Sequence, residues 1–477
     1  MRLVLLICLS LTTYFLSAQS QISSKKIGWS GSEIMLQTVH DKSGDLHAFL
    51  LENLDSFKVI LYDRAFKEIN EYSIPRISQE ELVAGFIKDD KIYLFCNVKS
   101  PMGYHNYTID ITSGKIDQAL ILSERRKEKL IDRISSGDYA LWLGIDKKNS
   151  SFVIYNWRNQ QDMDTIIYHF KDPVMWESIT KTGSFFGRDV DVAKIDEAGL
   201  PDIQSVSAKN KVYLIHDTLF LIMNRNLANT IVYAFDIYNK TVSYRQMENE
   251  PVIKKFNQYA GTDKVEGAYV DNSYLLNGKL YFVSATDESL HVIISDFYTG
   301  NRLKYFEVKR EDTIEFKNTP VLQEGKALYF NNTKELTKTK QLLRKMTSAN
   351  AAIAALRDSL GMAITLGSNK EEKQMGMPGG YWVPAAGGAM TYVGGGIGGF
   401  SSGTWTKAVR FRMLVDSTSF QHIPGDMEPS INDRIDDFSQ DIKIPEQAEN
   451  LLFQDGRYIY IYYDKKIKSL VLQQFPI

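Results

Sequence analysis

An excess of charge of one sign is missing from this 477-residue sequence, which carries 56 Lys and Arg against 58 Asp and Glu, a formal net charge of −2. No global positive field is therefore available to hold nucleic acid, and nucleic-acid binding is not expected. Cysteine is scarce as well, because only Cys8 and Cys96 occur. A chain of this length, with 44% apolar residues, can bury enough surface to be stable without disulfides.

Local motifs of catalysis and metal binding are absent too. The sequence holds no His-Glu-x-x-His pair, no Gly-x-Ser-x-Gly elbow, no phosphate-binding loop and no dinucleotide fingerprint. Asp189 and Asp191 would lie on the same face of a strand, where a calcium site is conceivable, but the Asp-x-Asp-x-Asp-Gly loop of such sites is missing. The sequence therefore predicts a protein that is not an enzyme and that carries no cofactor and no metal ion.

The first 18 residues have the three parts of a secretory signal peptide. A positive charge at Arg2 precedes an apolar run over 3–9, and Ala18 offers a small residue for cleavage before Gln19. The apolar run is too short and too interrupted to span a membrane comfortably. The sequence predicts export, to the periplasm, the outer membrane or the extracellular space. If the leader is removed, Cys96 remains as the single cysteine and is expected to be a small buried hydrophobe.

What the chain has in quantity is aromatic residues, with 26 Tyr and 24 Phe, and these recur in a hairpin pattern. A turn of Gly, Asp or Asn precedes an aromatic-rich strand, and a second apolar strand ends in another turn, as in 277–283 (NGKLYFV) followed by 291–303. The units start near 44, 90, 137, 210, 278, 325 and 456. This spacing predicts an all-β fold, a β-propeller of about seven four-stranded blades over 25–331 and 407–477. An array of β-sandwiches or a pair of all-β domains is the alternative.

The pattern resembles that of secreted and periplasmic bacterial β-propellers, at the level of architecture, over about 25–475. It carries no Gly-His…Trp-Asp signature, no kelch double glycine and no Asp-box series, so the resemblance names no particular family. A propeller scaffold by itself implies no function.

The last gap between units is far longer than a blade needs, and residues 332–406 are predicted to be an insertion in a late blade. A helix is predicted over 333–360, because Asn332 and Glu335 form a capping-box start and Gly361 is a natural stop. Its apolar stripe has alternating spacings of four and three, at Leu342, Met346, Ala349, Ile353, Leu356 and Leu360. Such a helix could lie on its own propeller or dock onto a partner.

The second half of the insertion has no charged residue from Gln374 to Thr406 and is rich in glycine and aromatic residues. Glycine allows close backbone approach or free bending, so this loop over 374–406 suits contact with a membrane surface, a barrel lumen or a partner groove. It also suits a flexible loop with no further role.

We expect an exported, non-enzymatic scaffold that binds another protein or assembles with an envelope component. The insertion would contact the partner, or the membrane surface through 374–406. The residues expected to do so are Leu342, Met346, Ile353, Leu356, Trp382, Tyr392, Phe400 and Trp405. The alternative is a glycan-acting hydrolase or lyase with two close carboxylates in the propeller funnel, an arrangement that needs no local motif.

Overall fold

The fold class predicted from the sequence is confirmed: the chain is all-β, with seven sheets that each contain four antiparallel strands, as in a seven-bladed β-propeller. The computed structural model describes residues 19–30, 34–77, 80–99, 102–122, 128–180, 192–196, 199–201, 203–226, 229–249, 269–327, 330–371, 382–384, 390–392, 406–442, 444 and 448–476. The predicted leader over 1–18 lies outside the described residues, and export stays a prediction.

Strands are numbered β1 to β32 in chain order, and β1 (Ser20–Lys26) belongs to the last sheet. The first sheet contains, in spatial order, β2 (Met35–His40), β3 (Leu46–Glu52), β4 (Ser56–Asp63) and β5 (Glu68–Pro75). The second contains β6 (Glu80–Lys88), β7 (Lys91–Lys99), β8 (Met102–Asp110) and β9 (Ile116–Leu122). The third contains β10 (Lys129–Ser135), β11 (Ala140–Asp146), β12 (Ser151–Trp157) and β13 (Met163–His169).

The fourth sheet begins with a short parallel strand, and its order is β14 (Ala193–Ile195), β15 (Asn210–Ile215), β16 (Thr218–Asn226), β17 (Asn229–Asp236) and β18 (Thr241–Glu248). The fifth contains β19 (Tyr269–Leu276), β20 (Lys279–Thr286), β21 (Ser289–Asp296) and β22 (Arg302–Lys309).

The sixth sheet does not follow chain order. Its spatial order is β24 (Phe330–Glu335), β23 (Leu322–Ala327), β29 (Thr406–Val415), β26 (Gly361–Glu371) and β25 (Asn350–Asp358). A separate hairpin pairs β27 (Trp382–Pro384) with β28 (Met390–Tyr392). The described helices are α1 (Pro173–Thr180), α2 (Ile203–Ser207), α3 (Thr339–Thr347) and α4 (Ile431–Ile442).

The seventh sheet combines strands from the two ends of the chain. It contains β30 (Glu449–Gln454), β31 (Arg457–Asp464) and β32 (Ser469–Pro476), and β1 pairs with β32 from Ser20↔Gln474 to Lys26↔Ser469. This pairing, which has one irregularity between Gln21 and Ser23, joins an early strand of the chain to its last strand, with β1 at the edge of the sheet.

Contacts divide the chain into two compact units. Unit one comprises 1–171 and 433–477 and holds the first, second, third and seventh sheets, whereas unit two comprises 172–432 and holds the fourth, fifth and sixth. In unit one, Phe95 of the second sheet packs edge-on against Trp142 of the third, with ring centroids 5.9 Å apart. In unit two, a large apolar core joins its three sheets and includes Leu342 and Met346 of α3.

The recurring turn residues of the sequence have a direct structural explanation. Asn277 and Gly278 both adopt positive φ, of 50° and 67°, which is the backbone of a two-residue hairpin turn. At the turn that follows β21, a carboxylate oxygen of Asp296 accepts hydrogen bonds from the backbone N–H groups of Tyr298 at 3.1 Å and Thr299 at 2.9 Å. Asp236 and Asp416 make the same pair of bonds to the residues two and three positions later. Local hydrogen bonding of this kind is the reason that Asp begins these turns.

The helix predicted over 333–360 is wrong in extent. Only Thr339–Thr347 is helical, and Asn350–Asp358 is the strand β25, followed by β26. Residues 351–355 are all buried, because β25 is packed on both faces, and such strands read as unbroken apolar runs rather than alternating ones. Burial on two faces therefore overrides the helical spacing of Ile353 and Leu356. The inserted segment shrinks from 332–406 to 372–405, the connection between β26 and β29.

Candidate functional site

The residues predicted to bind a partner fall into two groups. Leu342, Met346 and Ile353 are completely buried in the apolar core of unit two, and Leu356 is half-buried. The prediction of a partner surface at Leu342, Met346 and Ile353 is therefore wrong. Its physical reason is that the apolar stripe of α3 faces its own sheets, and Ile353 lies on a strand rather than on that helix.

The other four predicted residues belong to the glycine-rich segment. Trp382 and Tyr392 are register partners in the short β27–β28 hairpin. Phe400 and Trp405 lie outside the described residues. For all four, partner binding stays a prediction.

The connection that carries these aromatic residues is unlike its counterparts in the other sheets. In six sheets, the two central strands of the four that form the antiparallel blade are joined through two to four residues, namely 53–55, 100–101, 147–150, 227–228, 287–288 and 465–468. In the sixth sheet, the corresponding connection is 372–405, which is 34 residues long. The candidate functional site is this extension, here named the 372–405 segment.

The two strands that hold the 372–405 segment form an intact hairpin. β26 and β29 pair over ten consecutive positions, from Met362↔Val415 to Glu371↔Thr406. Their backbones approach so closely that a Cβ added to Gly367 would lie 1.8 Å from the carbonyl oxygen of Val409. Both ends of the segment therefore leave the sheet at one point, where Glu371 pairs with Thr406.

A buried cluster of acidic side chains in unit one is a second group of titratable residues. Glu80 has no exposed surface; its carboxylate contacts His105 Nδ1 and accepts hydrogen bonds from the Tyr107 hydroxyl at 3.0 and 3.1 Å and from the Ile77 N–H at 2.9 Å. Nearby, Glu52 forms a 2.9 Å ion pair with Arg76. The acidic cluster, defined by Glu52, Arg76, Glu80, His105 and Tyr107, joins the first sheet to the second.

The acidic cluster brings together two carboxylates, as expected of a glycan-acting enzyme. Glu52 is 3% exposed and Glu80 is 0% exposed, so neither carboxylate presents an open face to a large substrate. Burial raises the pKa of Glu52 above its ordinary value, against the opposing effects of the Leu82 N–H and Arg76. Cys96 is buried beside them, and burial, with Glu80 and Glu52, raises its thiol pKa well above the usual value. A thiol of this kind is inert.

A buried chain of neutral side chains joins the fourth and fifth sheets in unit two. Ser273 donates to the Asn224 side-chain oxygen at 2.6 Å, Asn224 donates to the Thr230 hydroxyl at 3.1 Å, and Thr230 donates to Asn249 at 3.4 Å. All four side chains are at most 4% exposed. This hydroxyl–amide chain contains no titratable group.

The described ranges offer little for a metal ion or a small ligand. There, no group of three or more His, Cys, Asp or Glu side chains is arranged to hold a metal ion. Asp189 and Asp191, the conceivable calcium ligands, lie outside the described residues. A cleft of about 280 Å³ at the start of α3 is lined by residues of both charges, among them Arg310, Glu311 and Lys340. Ion pairs of Glu311 with Arg310 and Lys340, at 3.5 and 3.7 Å, already use part of that charge.

None of the described helices combines the length and the apolar character that crossing a membrane requires.

No protein-family model and no curated protein matches the sequence. Among solved structures, the chain is similar to an apocarotenoid oxygenase of Synechocystis, with 5% identity, a TM-score of 0.29, and 57% of this chain and 61% of that chain covered. It is also similar to the AfRom2 CNH domain, with 7% identity, a TM-score of 0.31, and 96% and 99% covered. A structure of a prolyl endopeptidase gives 9% identity and a TM-score of 0.35, with 91% and 46% covered. The match spans less than two thirds of the oxygenase chain, and similarities this distant carry no information on activity or ligand.

Proposed function

We propose that the protein is an exported scaffold that binds another protein or a cell-envelope component, and that the 372–405 segment makes the contact. The observation that carries this proposal is the length of that segment on an otherwise complete hairpin. Six sheets make the same connection in two to four residues, and β26 and β29 are fully paired up to Glu371 and Thr406.

The two strands that the segment connects are paired over ten positions by their own residues. Closing a longer loop and ordering its residues both oppose folding, and long surface connections in compact domains commonly carry function. A 34-residue connection between two fully paired strands is therefore best explained by a contact outside the fold.

The chemistry of the segment favours a partner with an apolar or neutral surface. From Gln374 to Thr406 no side chain is charged, and aromatic residues stand between the glycines, at Tyr381, Trp382, Tyr392, Phe400 and Trp405. Tyr and Trp are enriched in protein interfaces, and charged residues are depleted from interface centres.

Export is compatible with the way in which the chain ends are held. The first paired residue of β1 is Ser20, two positions after Ala18, where cleavage is predicted. Removal of 1–18 would therefore leave the seventh sheet complete, and the mature chain would fold as the full chain does.

The sharpest test removes the segment alone. A deletion of 332–406 would also remove α3, β25 and β26, so the appropriate variant joins Glu371 to Thr406 through an Asn-Gly turn in place of 372–405. A matched second variant keeps the length and replaces Trp382, Tyr392, Phe400 and Trp405 with Ser. Each tagged protein is recovered from detergent-solubilised envelopes of its native host, and copurifying proteins are quantified by mass spectrometry.

We expect a stoichiometric partner with the wild-type chain and its loss from both variants, while the thermal midpoint changes by no more than a few degrees. Retention of the partner by the Asn-Gly variant would contradict the proposal. Flotation with liposomes made of envelope lipids separates the membrane case, because a protein that floats without any partner binds lipid rather than protein.

A further inference from the structure

Four side chains of the fifth sheet form a continuous hydrogen-bonded chain. Ser289 Oγ lies 2.7 Å from His291 Nε2, and His291 Nδ1 lies 2.8 Å from the Tyr305 hydroxyl. The Tyr305 hydroxyl donates to Glu307 Oε2 at 3.1 Å. These distances are those of a nucleophile, a base and the group that orients the base.

Strand geometry places the four side chains together. Ser289 and His291 are two positions apart on β21 and therefore share one face. Glu307 on β22 is the register partner of His291, and Tyr305 is two positions before Glu307 on the same face. The intervening residue Leu290 lies on the opposite face and is buried in the apolar core.

The directions of the hydrogen bonds favour a basic nitrogen next to the serine. An ionised Glu307 only accepts, so Tyr305 gives it the hydroxyl hydrogen, and the Tyr305 oxygen accepts from His291 Nδ1–H. That tautomer leaves His291 Nε2 unprotonated, as the acceptor for the Ser289 hydroxyl. Burial and Glu307 raise the pKa of Tyr305, which keeps this hydroxyl protonated as a donor.

The serine is accessible whereas its base is enclosed. His291 is 2% exposed and its ring stacks with Tyr305, with centroids 6.0 Å apart. Ser289 is half-buried and is the first residue of β21, directly after the two-residue connection 287–288. The Ser289 residue therefore lies at the rim of the sheet, next to the exposed Asp287 and Glu288, and its Oγ also lies 3.4 Å from Thr286 Oγ1.

A second Ser–His pair in the same chain provides a contrast. Ser151 Oγ lies 2.7 Å from His169 Nδ1, but Ser151 is 1% exposed and donates its hydroxyl hydrogen to the Asn149 carbonyl at 2.9 Å. His169 therefore cannot accept that hydrogen, and the serine is not activated. Ser151 is a built-in control for Ser289.

We propose that Ser289 is an activated nucleophile that takes up acyl groups from esters, with His291 as its general base and with Tyr305 and Glu307 as positioning residues. The Ser289 oxygen forms a bond to the ester carbonyl carbon, and its proton passes to His291 Nε2. The bond between that carbon and the leaving oxygen then breaks, and the leaving alcohol takes the proton from His291. The products are an acyl ester on Ser289 and the free alcohol. This inference is independent of the scaffold role.

The test uses the full mature chain and a fluorophosphonate probe, which forms a bond from phosphorus to the serine oxygen and releases fluoride and a proton. Peptide mass spectrometry then measures labelling at Ser289 and at Ser151. We expect labelling of Ser289 that is about 100-fold faster than that of Ser151, and a loss of about 100-fold in H291Q, since general-base catalysis contributes at least that much.

The positioning role of Tyr305 and Glu307 is tested by the pH dependence of the Ser289 labelling rate. Glu307→Gln and Tyr305→Phe are expected to slow labelling about tenfold and to shift the pH at which the rate rises, while the chain still folds. Tyr305→Phe retains the packed ring, so it keeps the test decisive if H291Q fails to fold. Labelling of Ser289 no faster than that of Ser151, or wild-type labelling rates in a folded H291Q and in Tyr305→Phe, would overturn the proposal.

Discussion

The acidic cluster of unit one and the hydroxyl–amide chain of unit two perform the same structural task with different chemistry. Each joins two neighbouring sheets through buried polar side chains. In the first, Glu52 of the first sheet accepts a hydrogen bond from the Leu82 N–H of the second and pairs with Arg76, and in the second, Ser273 donates to Asn224. Buried charges depend strongly on their partners and on pH, whereas buried hydroxyls and amides depend on partners alone. One fold can therefore join its sheets by a pH-dependent contact in one place and a pH-independent contact in another.

The largest expected effect comes from breaking the acidic cluster at its centre. Glu80→Ala leaves the Tyr107 hydroxyl, the Ile77 N–H and His105 without their buried partner, and we expect a loss of about 3–5 kcal/mol in the free energy of unfolding. Urea unfolding followed by tryptophan fluorescence measures it. Glu81→Ala, at the exposed neighbouring position, is the matched control and should change stability by less than about 0.5 kcal/mol. Equal effects of the two substitutions would contradict the assignment.

Breaking the hydroxyl–amide chain should reduce the free energy of unfolding by less. Asn224→Ala removes the acceptor of Ser273 and the donor to Thr230, and about 2 kcal/mol should be lost, because no charge is left unpaired. Asn301→Ala, at an exposed turn position, is the control. A loss as large as that of Glu80→Ala would remove the distinction between charged and neutral contacts.

The pH dependence should separate the two regions further. The folded pKa of Glu52 is raised by burial, so its contribution to stability is complete below the unfolded pKa and is lost as the pH rises through the folded pKa. As the pH rises, the free energy of unfolding of wild type should therefore fall relative to that of Glu52→Gln. Between the two pKa values this change amounts to about 1.4 kcal/mol for each pH unit.

Unfolding midpoints in urea between pH 4.5 and 8 measure that difference. Asn224→Ala serves as the comparison, since its difference from wild type should stay constant over the range. A flat profile for Glu52→Gln would show that Glu52 does not titrate there.

The smallest expected effect is that of Tyr107→Phe. It removes one hydroxyl donor to Glu80 and keeps the buried ring, so about 1 kcal/mol should be lost in urea unfolding. A loss near that of Glu80→Ala would mean that the Tyr107 hydroxyl, rather than His105 and the Ile77 N–H, is the main partner of Glu80.

Sequence patterns predicted the elements that depend on near neighbours and missed those that depend on distant ones. The turn at Asn277 and Gly278 and the Asp-initiated turns were readable, because they need only local φ values and hydrogen bonds. Residues 350–358 were predicted to be helical, although pairing with β26 and burial in the core of unit two make them the edge strand β25. The alanine-rich stretch has good helix propensity, and only burial on both faces decided against it.

Candidate sites divide in the same way. The uncharged 374–406 stretch was visible as composition, but its true bounds at Glu371 and Thr406 emerged from the pairing of β26 with β29. The Ser289–His291 spacing of two residues is present in the sequence, yet its meaning depends on Tyr305 and Glu307 opposite. The register between β21 and β22 decides whether Tyr305 and Glu307 lie on the face of His291, because a one-residue change would turn every side chain to the other face. No local pattern in the sequence specifies that register.

The sequence by itself determined the all-β class, the repeat and its turns, and the unusual composition of the late insertion, since each of these follows from periodicity, backbone preference or residue type. Only the tertiary structure decided that β23 lies beside β29 in the sixth sheet, that β1 completes the seventh sheet with β32, and that Glu80 meets His105 and Tyr107. Those pairings join residues far apart in the chain, and their free energy comes from burial and hydrogen bonds that exist only after the sheets have assembled.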